Sequence, residues 1–282
     1  MGWLRDHKRK RILESPFPPE WEAVLERRMK HWGYLDDDEQ QLLRELTQVF
    51  IAEKYWEPCG GLELTDDVQV TIAADACLLL LGLDGLEFKD VSSILIYPST
   101  VKTPDAPHAS FGSVVESGSQ AILGQALQGG PVLLTWDSVR EGARHPEKGH
   151  NVVYHEFAHK LDMLTGSVDG MPPLATRNQV DDWVRVATEE FQRVQDRSAR
   201  GERTFLDAYA ATNVGEFFAV ATEFFFDLPQ KMHKERPDLY EMLNGFYRQD
   251  PAERERRAHA GAGHAGDGTH NHRKIHPGRR IK

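Results

Sequence analysis

Asn151-Val152-Val153-Tyr154-His155-Glu156-Phe157-Ala158-His159-Lys160-Leu161-Asp162 contains the pattern H-E-x-x-H, with His155 and His159 four residues apart. On an α-helix that spacing puts both imidazoles on one face, a turn apart and aimed at a common point. Two neutral imidazole nitrogens so placed are half of a catalytic metal site of the Zn²⁺ type. Glu156 follows the first histidine, off the ligand stripe, and is placed to take a proton from a metal-activated water. Val152, Val153, Tyr154, Phe157, Ala158, Leu161 and Leu164 make the surroundings apolar, which predicts a buried helix. Gly149 and Asn151 offer its start and Gly166 its stop. A core helix with two merely satisfied histidines is the competing reading, and burying two histidines and a glutamate together without a use is costly.

Outward from this helix, a chain of 282 residues has room for one large core or two modest ones. Its hydrophobic content of 40% and charged content of 28% are those of a soluble globular protein. No apolar run approaches the roughly 20 residues that span a membrane. Met1 to Arg11 carries basic residues with no apolar stretch behind them, unlike a secretory signal. Cys59 and Cys77, the only two cysteines, do not make a disulfide framework, which points to the cytoplasm. A formal net charge of −10 argues against nucleic-acid binding.

The pattern along the chain predicts the following organisation. Residues 1–18 read as a flexible basic arm broken by Pro16, Pro18 and Pro19. Helices are expected from Glu20, after the acidic cap 36–39, and over residues 65–83. Residues 92–97 and 132–136 read as strands, with a mixed stretch rich in Gly, Ser and Pro over 99–130. Residues 137–150 read as a polar connection. Three more helices are expected over 180–197, 215–226 and 239–247. Residues 251–282 form a tail with His259, His264, His270, His272 and His276, which reads as disordered and a weak metal binder at most.

Catalytic zinc usually takes three protein ligands and leaves a position for water. Asp162 is three residues after His159 on the same helical face. Glu216 lies far along the chain in the apolar segment Gly215-Glu216-Phe217-Phe218, with Glu223 seven residues on and on the same stripe. Either that stripe faces solvent, or two buried carboxylates face a positive object. Both carboxylates, Asp162 and Glu216, stay open as the third ligand on this reading.

The chain resembles the Mlc titration factor A family of zinc peptidases, named for its partner, the Mlc glucose repressor. The similarity is carried by Asn151 to Met163, by Asp207-Ala208-Tyr209-Ala210-Ala211, by Glu216-Phe217-Phe218-Ala219-Val220 and by Gly130 to Val139, and it spans roughly residues 10–250. The metal helix and the Tyr209-to-Glu216 segment are also similar to the catalytic domain of anthrax lethal factor. The resemblance implies that His155, His159 and Glu216 ligate Zn²⁺ and that Glu156 is the general base. It implies Tyr209 as a donor to the developing oxyanion, and Glu223 and Asp162 as groups orienting the imidazoles. Alternatively, Tyr209 is a core aromatic and Asp162 holds a backbone amide.

The expected fold is α+β and zincin-like: mostly helical, with a small twisted sheet over the metal helix. A peptidase domain would span 19–250, with a helical part over about 19–85 and a catalytic part over about 86–250. The implied activity is hydrolysis of a peptide or protein, an aminopeptidase activity included, in the cytoplasm and away from membranes. The rival reading is an interaction protein that sequesters a Mlc-type repressor, with the zinc site secondary.

Overall fold

The structure, a computed structural model, describes residues 2–83, 85–99 and 130–265. The expectation for residues 99–130 therefore falls almost entirely outside the described residues. Within them the elements run α1 (Gly2–Leu13), α2 (Pro19–Arg28), α3 (Asp37–Glu53), β1 (Tyr55–Pro58), α4 (Asp66–Leu78), β2 (Ser93–Tyr97) and β3 (Val132–Thr135). They continue with α5 (Trp136–Arg144), α6 (Val152–Asp162), α7 (Arg177–Ala199), α8 (Val214–Asp227), α9 (Pro229–Glu235), α10 (Pro237–Tyr247) and α11 (Pro251–Ala265). This is an α+β architecture, mostly helical around a small sheet.

The sheet is parallel, in the order β1-β2-β3, with Trp56 opposite Ile94 and Ile94 opposite Val132. Period-two alternation buries Ile94 and Ile96 of β2 while Ser93, Leu95 and Tyr97 stay partly accessible. β3 packs on α6, and the buried Lys160 donates from Nζ to the Gly130 carbonyl at 3.2 Å, tying the strand's approach to the helix. Fully buried Phe157 joins α6 to Phe88 and Phe50, with ring centroids 4.6 and 5.7 Å away. Burial of such a side chain contributes about 1.5–3 kcal/mol.

α8 is buried along nearly its whole length and packs against α6. Phe217, Phe218, Phe224, Phe225 and Phe226 are all core residues. Glu223 is buried among them, so the Glu216–Glu223 stripe is not a solvent face.

Several boundaries differ from the expectation. The helix expected over 65–83 ends at Leu78 and gives way to turns. Residues 137–150 are not merely a connection, since α5 occupies much of them. Its buried side is Val139 and Gly142, which with Trp136 recur at helical spacing within a segment that is polar on average. β1 and α9 are additional short elements.

Both ends of the chain are better ordered than their composition suggests. Residues 1–18 were expected as a flexible arm, but Gly2–Leu13 is helical because the prolines act only after it. Arg9 bonds Glu53 and Glu87 at 2.6–2.9 Å and so docks α1 on the body. Likewise the expected disordered tail begins as α11. Ala252 is fully buried, Lys30 Nζ pairs with Glu255 at 3.0 Å, and His259 stacks edge-on to Tyr34. Arg254 is buried and donates to Glu39 and to Gln249 Oε1. Residues 266–282 lie outside the described residues.

Truncation before Pro251 would therefore expose core, and Arg254→Ala should strand Glu39 and Gln249. Glu39 keeps partial access to water, so the cost is set below the 3–5 kcal/mol of a fully buried pair, at about 2 kcal/mol. Urea unfolding of the variant against the parent measures it, and an unchanged midpoint would show that α11 docks without this contact.

Candidate metal centre

Asn151 begins the metal helix. Its backbone is extended, and its side-chain Oδ1 accepts from the Val153 and Tyr154 amides at 3.0 and 3.2 Å, an N-cap. The helix then presents His155 and His159 together, with ring centroids 4.8 Å apart. Asn213 caps α8 in the same manner, accepting from the Glu216 amide at 2.9 Å, which places Glu216 in the first turn.

Three donor atoms converge between these helices. His155 Nε2 lies 3.0 Å from Glu216 Oε2, His159 Nε2 lies 3.4 Å from the same oxygen, and the two Nε2 atoms are 3.2 Å apart. A tetrahedral ion at zinc's bond lengths of 2.0–2.1 Å would separate its ligand atoms by about 3.4 Å. The observed triangle is close to one face of that tetrahedron. Glu216 Oε2 is buried and makes no hydrogen bond of good geometry, as expected of an atom aimed at a shared centre and not at one proton. His155, His159 and Glu216 thus fit a divalent metal.

The groups around the triangle are ordered by hydrogen bonds. His155 Nδ1 faces Glu223 Oε1 at 2.8 Å, and the other oxygen of Glu223 accepts from the Asn151 amide at 2.7 Å. Burial disfavours the His155 cation, but the close carboxylates of Glu216 and Glu223 outweigh it and raise the imidazole well above its usual range. Burial likewise works against the Glu216 carboxylate, yet the two imidazoles hold its pKa far below the carboxylate range. Burial pushes the Glu156 carboxyl upward. The Tyr209 ring lies beside His155, with centroids 6.1 Å apart. Its turn is fixed by Asp207, which accepts the Tyr209 backbone N–H at 2.8 Å.

Asp162 is fully buried and does not join the triangle. Its Oδ2 accepts the Gly170 N–H at 2.9 Å, so it does hold a backbone amide. Gly170 has φ of +71°, and a Cβ there would come within 2.3 Å of the Val214 carbonyl, so only glycine lets this loop approach the start of α8. Asp162 Oδ1 and His159 Nδ1 are both buried without a partner. Two residues of this neighbourhood were not singled out from the sequence. Asn213 was legible as the opening of an Asn-x-x-Glu cap. Asp75, which accepts from the Asn151 side chain, carries no local signal.

Two imidazoles and a carboxylate brought together between two buried helices make a candidate metal centre. Residues 4–248 match the model of the glucose-regulated metallo-peptidase M90 family, and the chain belongs to that family. A Mlc titration factor A from Serratia proteamaculans is 35% identical over 80% of this chain and 86% of its own length. Another, from Cronobacter sakazakii, is 35% identical over 84% of this chain and 88% of its own. An uncharacterized protein of Synechocystis sp. is 34% identical over 88% of this chain and 90% of its own. The family implies a metal cofactor. Among the described residues no helix is long and apolar enough to cross a membrane.

The geometry predicts that Glu216→Gln loses far more metal affinity than Asp162→Asn. The first replaces an anionic donor by a poor one. The second changes a surrounding group, for which a loss of about 10–100-fold is typical. Titration with a competing chelator ranks the two, and metal lost from Asp162→Asn but kept by Glu216→Gln would reverse the assignment.

Proposed function

We propose that the protein is a zinc-dependent peptidase in which His155, His159 and Glu216 hold the ion and Glu156 moves the proton. The convergence of three donor atoms at 3.0–3.4 Å is the observation that carries this reading. Two imidazoles and one carboxylate form the donor set of several catalytic zinc sites, with a position left for water. When bound, zinc supplies Lewis acidity, acidifying water and polarising a carbonyl oxygen.

The chain's own residues supply the rest. Glu156 takes the proton of the attacking water and delivers it to the leaving amine. Tyr209, beside His155, donates to the oxygen on which charge develops. Glu223 fixes the orientation of His155, and Asp162 stands ready to do the same for His159 Nδ1. Among the described residues β3 pairs only with β2, so its other edge offers main-chain groups to an extended peptide. Residues 19–250 form the peptidase unit, zincin-like in fold, acting in the cytoplasm. Aminopeptidase action is the form we favour, by the family resemblance.

The relatives named Mlc titration factor A support a link to a Mlc-type repressor, and through it to glucose uptake. Sequestration of such a repressor is the second reading, in which the zinc site is secondary. It is favoured by those names and not by the geometry of the site.

Glu156→Gln separates the two. It should keep about one zinc per chain and lose about 10²–10⁴-fold in hydrolysis of peptides with a free N-terminus, while any repressor binding persists. His155→Ala should lose the zinc itself. Hydrolysis undiminished in Glu156→Gln would remove Glu156 from the chemistry.

A further inference from the structure

The turn that starts the metal helix is gripped from three sides. From α8, Glu223 accepts the Asn151 N–H and faces His155. From α5, Gly142 packs so closely that a Cβ would lie 2.8 Å from the His150 carbonyl oxygen and 3.2 Å from Asn151 Cα. From α4, Asp75 Oδ2 accepts the Asn151 side-chain N–H at 3.1 Å. Asp75 and Asn151 are both buried.

These contacts form one continuous path. Asp75 holds the Asn151 amide, Asn151 caps α6 with its Oδ1, and the backbone N–H of Asn151 holds Glu223, which aims His155 Nδ1. Asn151 thus uses its side-chain oxygen, its side-chain nitrogen and its backbone nitrogen on three different elements. A carboxylate buried in the core of α4 has no packing advantage over an aliphatic residue of similar size. Its hydrogen bond goes to the cap of the helix that bears His155.

We infer that Asp75 is a positioning residue for the metal centre, acting on His155 through Asn151 and Glu223. It does not touch the metal or the substrate. Its role is to fix where α6 begins and the rotamer of Asn151, so that the Glu223 carboxylate and the His155 ring keep one geometry. This inference rests on the metal site described above.

The experiment measures zinc affinity by chelator competition, and the visible spectrum of the Co²⁺-substituted protein, for four variants at Asp75 and Asn151 beside the parent and a His155→Ala control. Asp75→Ala should weaken zinc about 10-fold and alter the cobalt spectrum, as changes around a ligand do. Asp75→Asn keeps an acceptor for Asn151 and should recover most of the affinity. Asn151→Ser keeps the cap and the backbone donor but loses the tether, so it should match Asp75→Ala. The double variant Asp75→Ala with Asn151→Ser should be no weaker than either single one, because both cut the same path. Should Asp75→Ala fail to fold, Asn151→Ser and Asp75→Asn carry the test. Affinity and spectrum unchanged in folded Asp75→Ala or in Asn151→Ser would overturn the inference, as would additive losses in the double variant. A parent that binds no zinc, or a His155→Ala variant that binds it equally well, would instead refute the metal site itself.

Discussion

One buried carboxylate ties together the two helices that carry the His155–His159–Glu216 triangle. Glu223 reaches from α8 to α6 and binds it twice, at the Asn151 amide and at His155 Nδ1, over 2.7 and 2.8 Å. The first contact joins a charged acceptor to a helix N-terminus, where the unpaired amides and the dipole favour an anion. The second fixes which nitrogen of His155 remains to face Glu216. A slip of one residue between the helices would break both contacts. It would also leave a buried anion unpaired, a fault that costs about 3–5 kcal/mol. Hydrophobic packing of five phenylalanines brings α8 into the core, but packing alone tolerates small slides. The carboxylate makes one register the favoured one.

That anion sits in an acidic neighbourhood, and the surroundings prevent the charges from working against each other. Burial pushes the carboxyl of Asp75 up to about 7, and that of Asp227 well above the usual range. Each is therefore far less charged near neutrality than a surface aspartate. Lys30 approaches the same region and donates to the Asp227 carbonyl at 3.1 Å. The Glu216 carboxyl, by contrast, is held well below its usual range by the two imidazoles. Carboxylates facing the two imidazoles favour positive charge at the triangle.

Much of this was legible in the sequence, and the parts that were not share a physical reason. The metal helix declared itself because H-E-x-x-H combines a fixed spacing with apolar flanks. Glu216 and Glu223 stood out because a carboxylate on a phenylalanine-rich helix needs an explanation. The strands at 93–97 and 132–135 were visible as β-branched and leucine-rich runs. By contrast α5 was passed over because the segment is polar on average, although Trp136, Val139 and Gly142 recur at helical spacing. α1 and α11 were misjudged because composition reports average solvation and not pairing. Arg9 and Arg254 are each one residue in a charged run, and each is fixed by carboxylates far away in the chain, at Glu53, Glu87 and Glu39. Asp75 was invisible for the same reason: its partner, Asn151, is 76 residues on.

The same reasoning bears on whether the site serves chemistry or merely survives beside a binding surface. A protein that only sequesters a partner needs an exposed face, and nothing in that task demands a buried triangle of two imidazoles and a carboxylate. Maintaining it has a cost, since each buried ionisable group must be desolvated and then compensated by a specific partner. Here the compensation extends over several elements: Asn151 and Asn213 cap the two ligand helices, Glu223 aims one ligand, and Asp162 with Gly170 sets the approach to the other helix. Glu156 adds to the expense, for it neither caps a helix nor completes the triangle, and burial raises its carboxyl. A structural metal site would close its fourth position with another residue, whereas among the described residues only three side chains converge. Three convergent donor atoms, a neighbouring buried carboxyl and an ordered surrounding are what the proposed hydrolysis asks for, and they are more than sequestration requires.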